Sequence, residues 1–240
     1  KQELLVSKNN LIDIISKKSQ TKGFKKKIDS NFSRNNISII AEIKKGSPSK
    51  GVIRKNFDPV RIAKNYIEGN ASCLSILTDN KYFYGKKEDL IKVRRKTKIP
   101  ILRKDFIISK YQIYESRAMG ADCILLISSV LKRDDIVEFT NIAHELDLDV
   151  LIEIHTKEEL IEALKIDNTL IGINNRNLKN MEVNIKNSIE IVNFMPNSFN
   201  FICESGISSK EDIVSLMKYG FKSFLIGEYL MRKEHPQTVL

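Results

Sequence analysis

Ile39-Ile40-Ala41-Glu42-Ile43-Lys44-Lys45-Gly46-Ser47-Pro48-Ser49-Lys50-Gly51 is the stretch on which the reading of this chain turns. Its first residues form a short apolar run that reads as a buried strand, yet Glu42 and Lys44 stand two apart, which on a strand puts both on one face. Charges within a core strand are costly. The run breaks at once into Gly, Ser and Pro, so the pair falls at the carboxyl end of the strand, where barrels and open α/β sheets hold their sites. Taken alone, the segment is read equally well as an edge strand with a solvated Glu/Lys pair.

The rest of the chain repeats one unit: a short apolar run closed by a polar residue or glycine, then a helix-length amphipathic segment. The runs are Ile37–Lys44, Ala71–Thr78, Ile101–Lys104, Cys123–Ser128, Val150–Glu153, Leu170–Asn174, Asn200–Glu204 and Ser223–Gly227. Helix-start chemistry lies between them, in Asp58-Pro59 and in the boxes Thr156-x-x-Glu159 and Ser208-x-x-Glu211. Gly69, Gly120 and Gly220 sit where helices should end. Eight strand–helix units imply a parallel sheet closed into a (β/α)8 TIM barrel, an α/β fold. The alternative, a doubly wound open sheet, calls for a helix-opening glycine fingerprint after the first strand, and Gly-Ser-Pro-Ser-Lys-Gly stands there instead. Before the repeat, Leu4, Leu5, Leu11, Ile12, Ile14 and Ile15 recur at helical spacing, predicting an amphipathic helix over Leu4 to about Lys27. The expected organisation is one barrel domain over 1–240, with 1–36 as an N-terminal helical extension.

With 240 residues, 42% of them hydrophobic, the chain can bury a core of that size. The apolar run Cys123–Ile127 is far too short to cross a bilayer, and the amino terminus is polar rather than signal-like, so a cytoplasmic protein without membrane contact is expected. Cys73, Cys123 and Cys203 are odd in number, far apart and set in strand-like runs, which reads as reduced core residues rather than a disulfide or zinc framework. The net charge of +10 is spread over clusters such as Lys25-Lys26-Lys27 and Arg94-Arg95-Lys96 with no aromatic platform among them. Solvated helix faces explain it, and no nucleic-acid partner is expected.

In a barrel the carboxyl ends of the strands carry function. Those ends supply Glu42 and Lys44, then Lys104, Glu153, Asn174 with Arg176, and Glu204 with Ser205. Several buried charges are tolerable only when paired, so an alternating Glu/Lys cluster in a barrel mouth is the economical reading. Strand seven runs into Ser205-Gly206 and strand eight into Gly227-Glu228. The phosphate sites of such barrels lie in those two loops, where glycine lets backbone N–H groups approach an anion. A phosphorylated, anionic small molecule is therefore the expected substrate. Ser47 and Arg176 are candidate side-chain donors. His155 could join Glu153 at a metal, but a third ligand is missing, and no metal site is expected.

These residues carry a family resemblance. Ile40 to Gly51, Leu77-Thr78 with Lys81-Tyr82-Phe83, Leu102-Arg103-Lys104-Asp105-Phe106, Leu151-Ile152-Glu153, Gly172 to Leu178, Cys203-Glu204-Ser205-Gly206-Ile207 and Leu225-Ile226-Gly227-Glu228 resemble, in order, the indole-3-glycerol-phosphate synthase family. The resemblance implies a cofactor-free lyase of tryptophan biosynthesis. It would close the indole ring of 1-(2-carboxyphenylamino)-1-deoxyribulose 5-phosphate with loss of carbon dioxide and water. By that analogy Lys104 is the general acid of ring closure and Glu153 handles the proton of the later dehydration. Lys44 would meet the anthranilate carboxylate, and Glu42 would hold the lysines. Asn174, Arg176 and Glu204 would orient substrate hydroxyls, and Phe83, Phe106, Leu125 and Leu178 would form an apolar slot for the aromatic ring. Tyr229 departs from the family pattern, which has a small residue there. A stand-alone enzyme, monomeric and with no obligatory protein partner, is expected. Rival readings are a phosphoribosyl isomerase barrel, which would leave Lys44 and Lys104 without a task, and an inactive basic barrel, which would not need the mouth charges.

Overall fold

The computed structural model of the chain describes residues 6–178, 180–194 and 199–240. Eight parallel strands close into a barrel: β1 (Ser38–Ile43), β2 (Cys73–Leu77), β3 (Ile101–Lys104), β4 (Cys123–Ile127), β5 (Asp149–Ile154), β6 (Leu170–Asn174), β7 (Phe201–Glu204) and β8 (Ser223–Ile226). Each pairs with its sequence neighbours, and β1 closes the ring by pairing with β8 as well as β2, with Ile40 opposite Leu225 on one side and Cys73 on the other.

Alternation along the strands divides the apolar residues into two cores. Ile40, Cys73, Leu102, Leu125, Leu151, Leu170, Ile202 and Leu225 fill the inside of the tube. Their strand neighbours, among them Ala41, Leu74, Ile101, Ile124, Ile152, Ile173 and Phe224, face the surrounding helices. Both faces are covered, which is why the strands read as nearly continuous apolar runs. The three cysteines are free and buried in these layers.

The helices start largely where local chemistry predicts. Asp58 accepts the N–H groups of Val60 and Arg61 ahead of Pro59, opening Pro59–Glu68, and Thr156 accepts the N–H of Glu159. The third box shifts by one residue: Ser209, not Ser208, caps Lys210–Met217, in a reciprocal pair with Asp212. Aspartate at that position completes the box as well as glutamate would. Gly120, at φ +96°, ends Lys110–Met119 in the left-handed conformation that glycine adopts at least cost.

The amino-terminal segment differs from the single predicted helix. It forms two, Lys8–Ser16 and Phe24–Ser33, separated by a link that ends at Gly23 with φ +66°; Leu4 and Leu5 of the predicted helix lie outside the described residues. The second helix is a floor for the barrel. Its Phe24 and Ile28 are fully buried and join the inner core. Three aspartates at the strand starts anchor the link and the first turn of the second helix: Asp147, Asp122 and Asp149 accept the N–H groups of Thr21, Lys22 and Lys25 at 2.8, 2.8 and 2.9 Å. Among the described residues no helix is long and apolar enough to cross a membrane.

Candidate active site

Opposite its floor, the tube opens at the carboxyl ends of its strands into a cavity of about 730 Å³. The inward position one step above the apolar layers is charged on four strands: Glu42 on β1, Lys104 on β3, Glu153 on β5 and Glu204 on β7. Lys104 Nζ lies 2.6 Å from Glu153 Oε2 and 2.9 Å from Glu204 Oε2. Glu42 pairs instead with Lys44, at 2.5 Å. The expectation that Glu42 holds the lysines therefore narrows to direct contact with Lys44 and a longer-range field at Lys104. Asn174, opposite Glu204 in the ladder, donates to Glu153 Oε1 at 2.9 Å.

Two glycines make room for this cluster. A Cβ on Gly172 of β6 would overlap Glu204 Oε1, and one on Gly227 would overlap Glu42 Oε1. Gly172 was legible only as part of the family pattern. Its physical signal is a glycine inside an otherwise apolar strand, which marks close approach by another group.

The electrostatics resolve the protonation of Lys104. Burial alone would lower its pKa, but Glu153, Glu204 and Glu42 outweigh burial and raise it, so the ammonium form holds. The two carboxylates part company. Burial pushes Glu204 up to about 7, with Glu153 adding to the rise against the pull of Lys104. For Glu153 burial acts upward too, yet Lys104 and Asn174 hold it below the usual carboxylate range. Glu204 Oε1 and Ser47 Oγ are buried without a hydrogen-bond partner among the described residues. They are an acceptor and a hydroxyl left for a ligand.

The aromatic side of the cavity is built from Phe83, Phe106, Leu125 and Leu178, with the Phe83 and Phe106 rings 6.5 Å apart. Arg176, Ser205, Gly206, Gly227 and Glu228 lie on the rim. Ser205 and Gly206 both take positive φ, +63° and +86°, and the N–H groups of Gly206 and Ile207 have no acceptor among the described residues. Glu228 is held by Arg232 through two contacts of 3.0 and 2.8 Å, which offsets its charge. Tyr229 is half-buried against the outer core and lines the same cavity, with the Lys233 ammonium 4.7 Å from its ring centre. Every residue named from the sequence for catalysis or substrate binding thus borders one cavity, whereas His155 does not.

Sequence reasoning missed others. Lys50 and Arg232 also line the cavity and had no strand-end position to betray them. Arg103 was overlooked because it points outward from β3. It is 1% exposed and donates to Thr78 Oγ1, Ser116 Oγ, Asp105 and Glu115 at 2.8–3.0 Å, and to the Gln112 carbonyl at 3.1 Å. This network fixes the strand end that presents Lys104. Among the described residues no group of three His, Cys, Asp or Glu side chains is placed to hold a metal ion.

A sealed (β/α)8 barrel with paired lysines and glutamates in its mouth, an aromatic wall and a glycine-bearing rim defines an enzyme of the barrel class acting on a small anionic substrate. Solved structures agree on the fold. Tryptophan synthase subunit alpha from Legionella pneumophila superposes with a TM-score of 0.65 at 11% identity, covering 92% of this chain and 94% of that one. Thiamine phosphate pyrophosphorylase from Pyrococcus furiosus gives 0.62 at 14% identity, covering 86% and 93%. The sequence is more specific. The family model described as indole-3-glycerol phosphate synthase matches residues 2–240. The indole-3-glycerol phosphate synthase of Legionella pneumophila strain Paris is 45% identical over 234 residues, 98% of this chain and 91% of that protein. That of Delftia acidovorans is 47% identical over 207 residues, 84% and 78% of the two chains. The chain belongs to the indole-3-glycerol phosphate synthase family.

Proposed function

We propose that the barrel mouth performs the family's carboxy-lyase reaction, converting 1-(2-carboxyphenylamino)-1-deoxyribulose 5-phosphate to indole-3-glycerol phosphate, with Lys104 as the acid that opens the sequence. The observation that carries this reading is the Lys104 ammonium held between Glu153 and Glu204 beside an aromatic wall. Attack of the anthranilate ring carbon on the ketone develops negative charge on its oxygen, and a fixed ammonium both stabilises that charge and supplies the proton.

Lys44 meets the anthranilate carboxylate. Its pairing with Glu42 limits how firmly it can hold that group, which suits a carboxylate that must leave as carbon dioxide, because equal binding of ground and transition states gives no acceleration of the step. Glu153 then removes the proton from the methylene carbon as water departs. Glu204 Oε1 and Ser47 Oγ offer partners to substrate hydroxyl or phosphate oxygens, and the loops at Ser205-Gly206 and Gly227-Glu228 take the phosphate with Arg176. No step calls for a cofactor or metal. All the groups in these roles come from one chain, so the site needs no residue from a second copy.

Incubating the folded protein with the anthranilate-derived ribulose phosphate tests the reading. Indole fluorescence should rise with release of one carbon dioxide per product; folded protein that yields neither overturns it.

A further inference from the structure

The proton balance of this reaction raises a question that the mouth alone does not answer. The ketone oxygen leaves as water and so takes up two protons, one when the new C–C bond forms and one when the C–O bond breaks. Only one proton comes back, from the C–H bond that breaks at the methylene carbon. The carboxylate leaves as carbon dioxide and returns none. Each turnover therefore draws one proton from solvent, while Glu153 and Glu204 are 2% and 1% exposed at the base of the cavity proposed to hold the substrate.

Glu153 has a second neighbour, which does not line that cavity. Its Oε2 faces Lys104, and its Oε1, which accepts from Asn174, lies 3.4 Å from His155 Nε2. The other ring nitrogen, Nδ1, is 3.6 Å from Glu159 Oε2. Glu159 is pinned there by accepting the His155 backbone N–H at 2.6 Å, and its side chain is 21% exposed. Both ring nitrogens are buried with no closed hydrogen bond to any described residue. Neither His155 nor Glu159 lines the substrate cavity.

On the proposed reading of the mouth, we infer that His155 and Glu159 form the path by which the solvent proton enters: imidazolium Nε2–H passes to Glu153 Oε1, rotation of the protonated carboxyl group delivers that proton to the neutral Lys104 amine left by ring closure, and the imidazole, still protonated at Nδ1, turns over to take a new proton at Nε2 from water beside Glu159. The charged groups facing the ring fit this task. Burial by itself would lower the His155 pKa, but Glu159, Glu153 and Glu204 together raise it, favouring the charged ring. His155 acts through Glu153 and touches no substrate atom. A ring serving only as packing would need neither carboxylate.

The test compares wild type with His155→Asn and Glu159→Gln in single turnovers, following indole fluorescence and, with a pH indicator in weak buffer, proton uptake. Wild type should take up one proton per indole formed. His155→Asn should form indole about tenfold more slowly at unchanged KM, with the loss steepening as pH rises, and added imidazole should restore the rate. Glu159→Gln should lose less. A His155→Asn enzyme as fast as wild type overturns the path, as does a slow one that imidazole fails to rescue. Should His155→Asn not fold, Glu159→Gln decides alone: a rate and proton uptake equal to wild type at every pH overturn the path. Absence of indole from wild type would instead overturn the reading of the mouth.

Discussion

The two ends of this barrel solve opposite problems with the same strands. At the floor, Phe24 and Ile28 close the tube with hydrocarbon, and aspartates stand outside it, accepting backbone N–H groups from the link. At the mouth, one residue step above the last apolar layer, the inward positions turn to glutamate and lysine, each charge within 3 Å of an opposite one. The floor contributes stability by removing apolar surface from water. The mouth gains little stability from its ion pairs, because desolvation offsets their attraction. Their arrangement is explained by what they can do to a substrate.

That division makes substitutions separable. The largest effect is expected from Glu153→Gln, which leaves Lys104 without its closest partner and removes the base proposed for dehydration. Turnover should fall by about 10² to 10⁴ in protein that is still folded at the assay temperature, as read from indole fluorescence and thermal melts. Phe24→Ala should do the reverse: a loss of about 3–5 kcal/mol in unfolding free energy by denaturant titration, with kcat of the folded fraction retained. A large loss of kcat in that variant would mean that floor and mouth are not independent.

Gly172→Ala sharpens the contrast from the inside of the wall. Its Cβ would displace Glu204 from Lys104, so activity should drop about tenfold, more than a buried methyl's effect on stability predicts. The smallest effect is a pH slope. Glu204 has a folded pKa of about 7 against an ordinary value of 4.5, so the folded chain binds that proton more tightly. Its contribution to stability is present below about 4.5 and is lost as pH rises to about 7. Glu153, held below its ordinary value, acts in the opposite sense, losing stability as pH falls. Glu204→Gln should therefore flatten the decline between about 4.5 and about 7 seen in chemical denaturation of the parent.

The mouth was legible in the sequence because charge is conspicuous in strands that are apolar on both faces. Glu42, Glu153 and Glu204 each interrupt such a run at its carboxyl end, and the parity of the strand says that they face inward. The floor was not legible. Leu11, Ile12, Ile14 and Ile15 favour one helix, while the second helix is defined by Gly23 and by contacts of Phe24 and Ile28 with residues 12 or more positions away in the barrel. Arg103 escaped for a related reason: a lone arginine beside Lys104 looks like a solvated charge until Glu115 and Ser116, on the following helix, come round to meet it. Likewise Gly172 and Gly227 as clearances for carboxylates depend on which side chain crosses to them, and spacing along the chain does not encode that.

The central claim is that Lys104, charged and clamped by two glutamates, is the proton donor of ring closure. Its most direct test is the single-turnover rate of Lys104→Ala on the anthranilate-derived ribulose phosphate, with circular dichroism confirming the fold. A native spectrum and a rate lower by a factor of about 10² or more are expected. A folded Lys104→Ala protein that forms indole at close to the parent rate would contradict that claim.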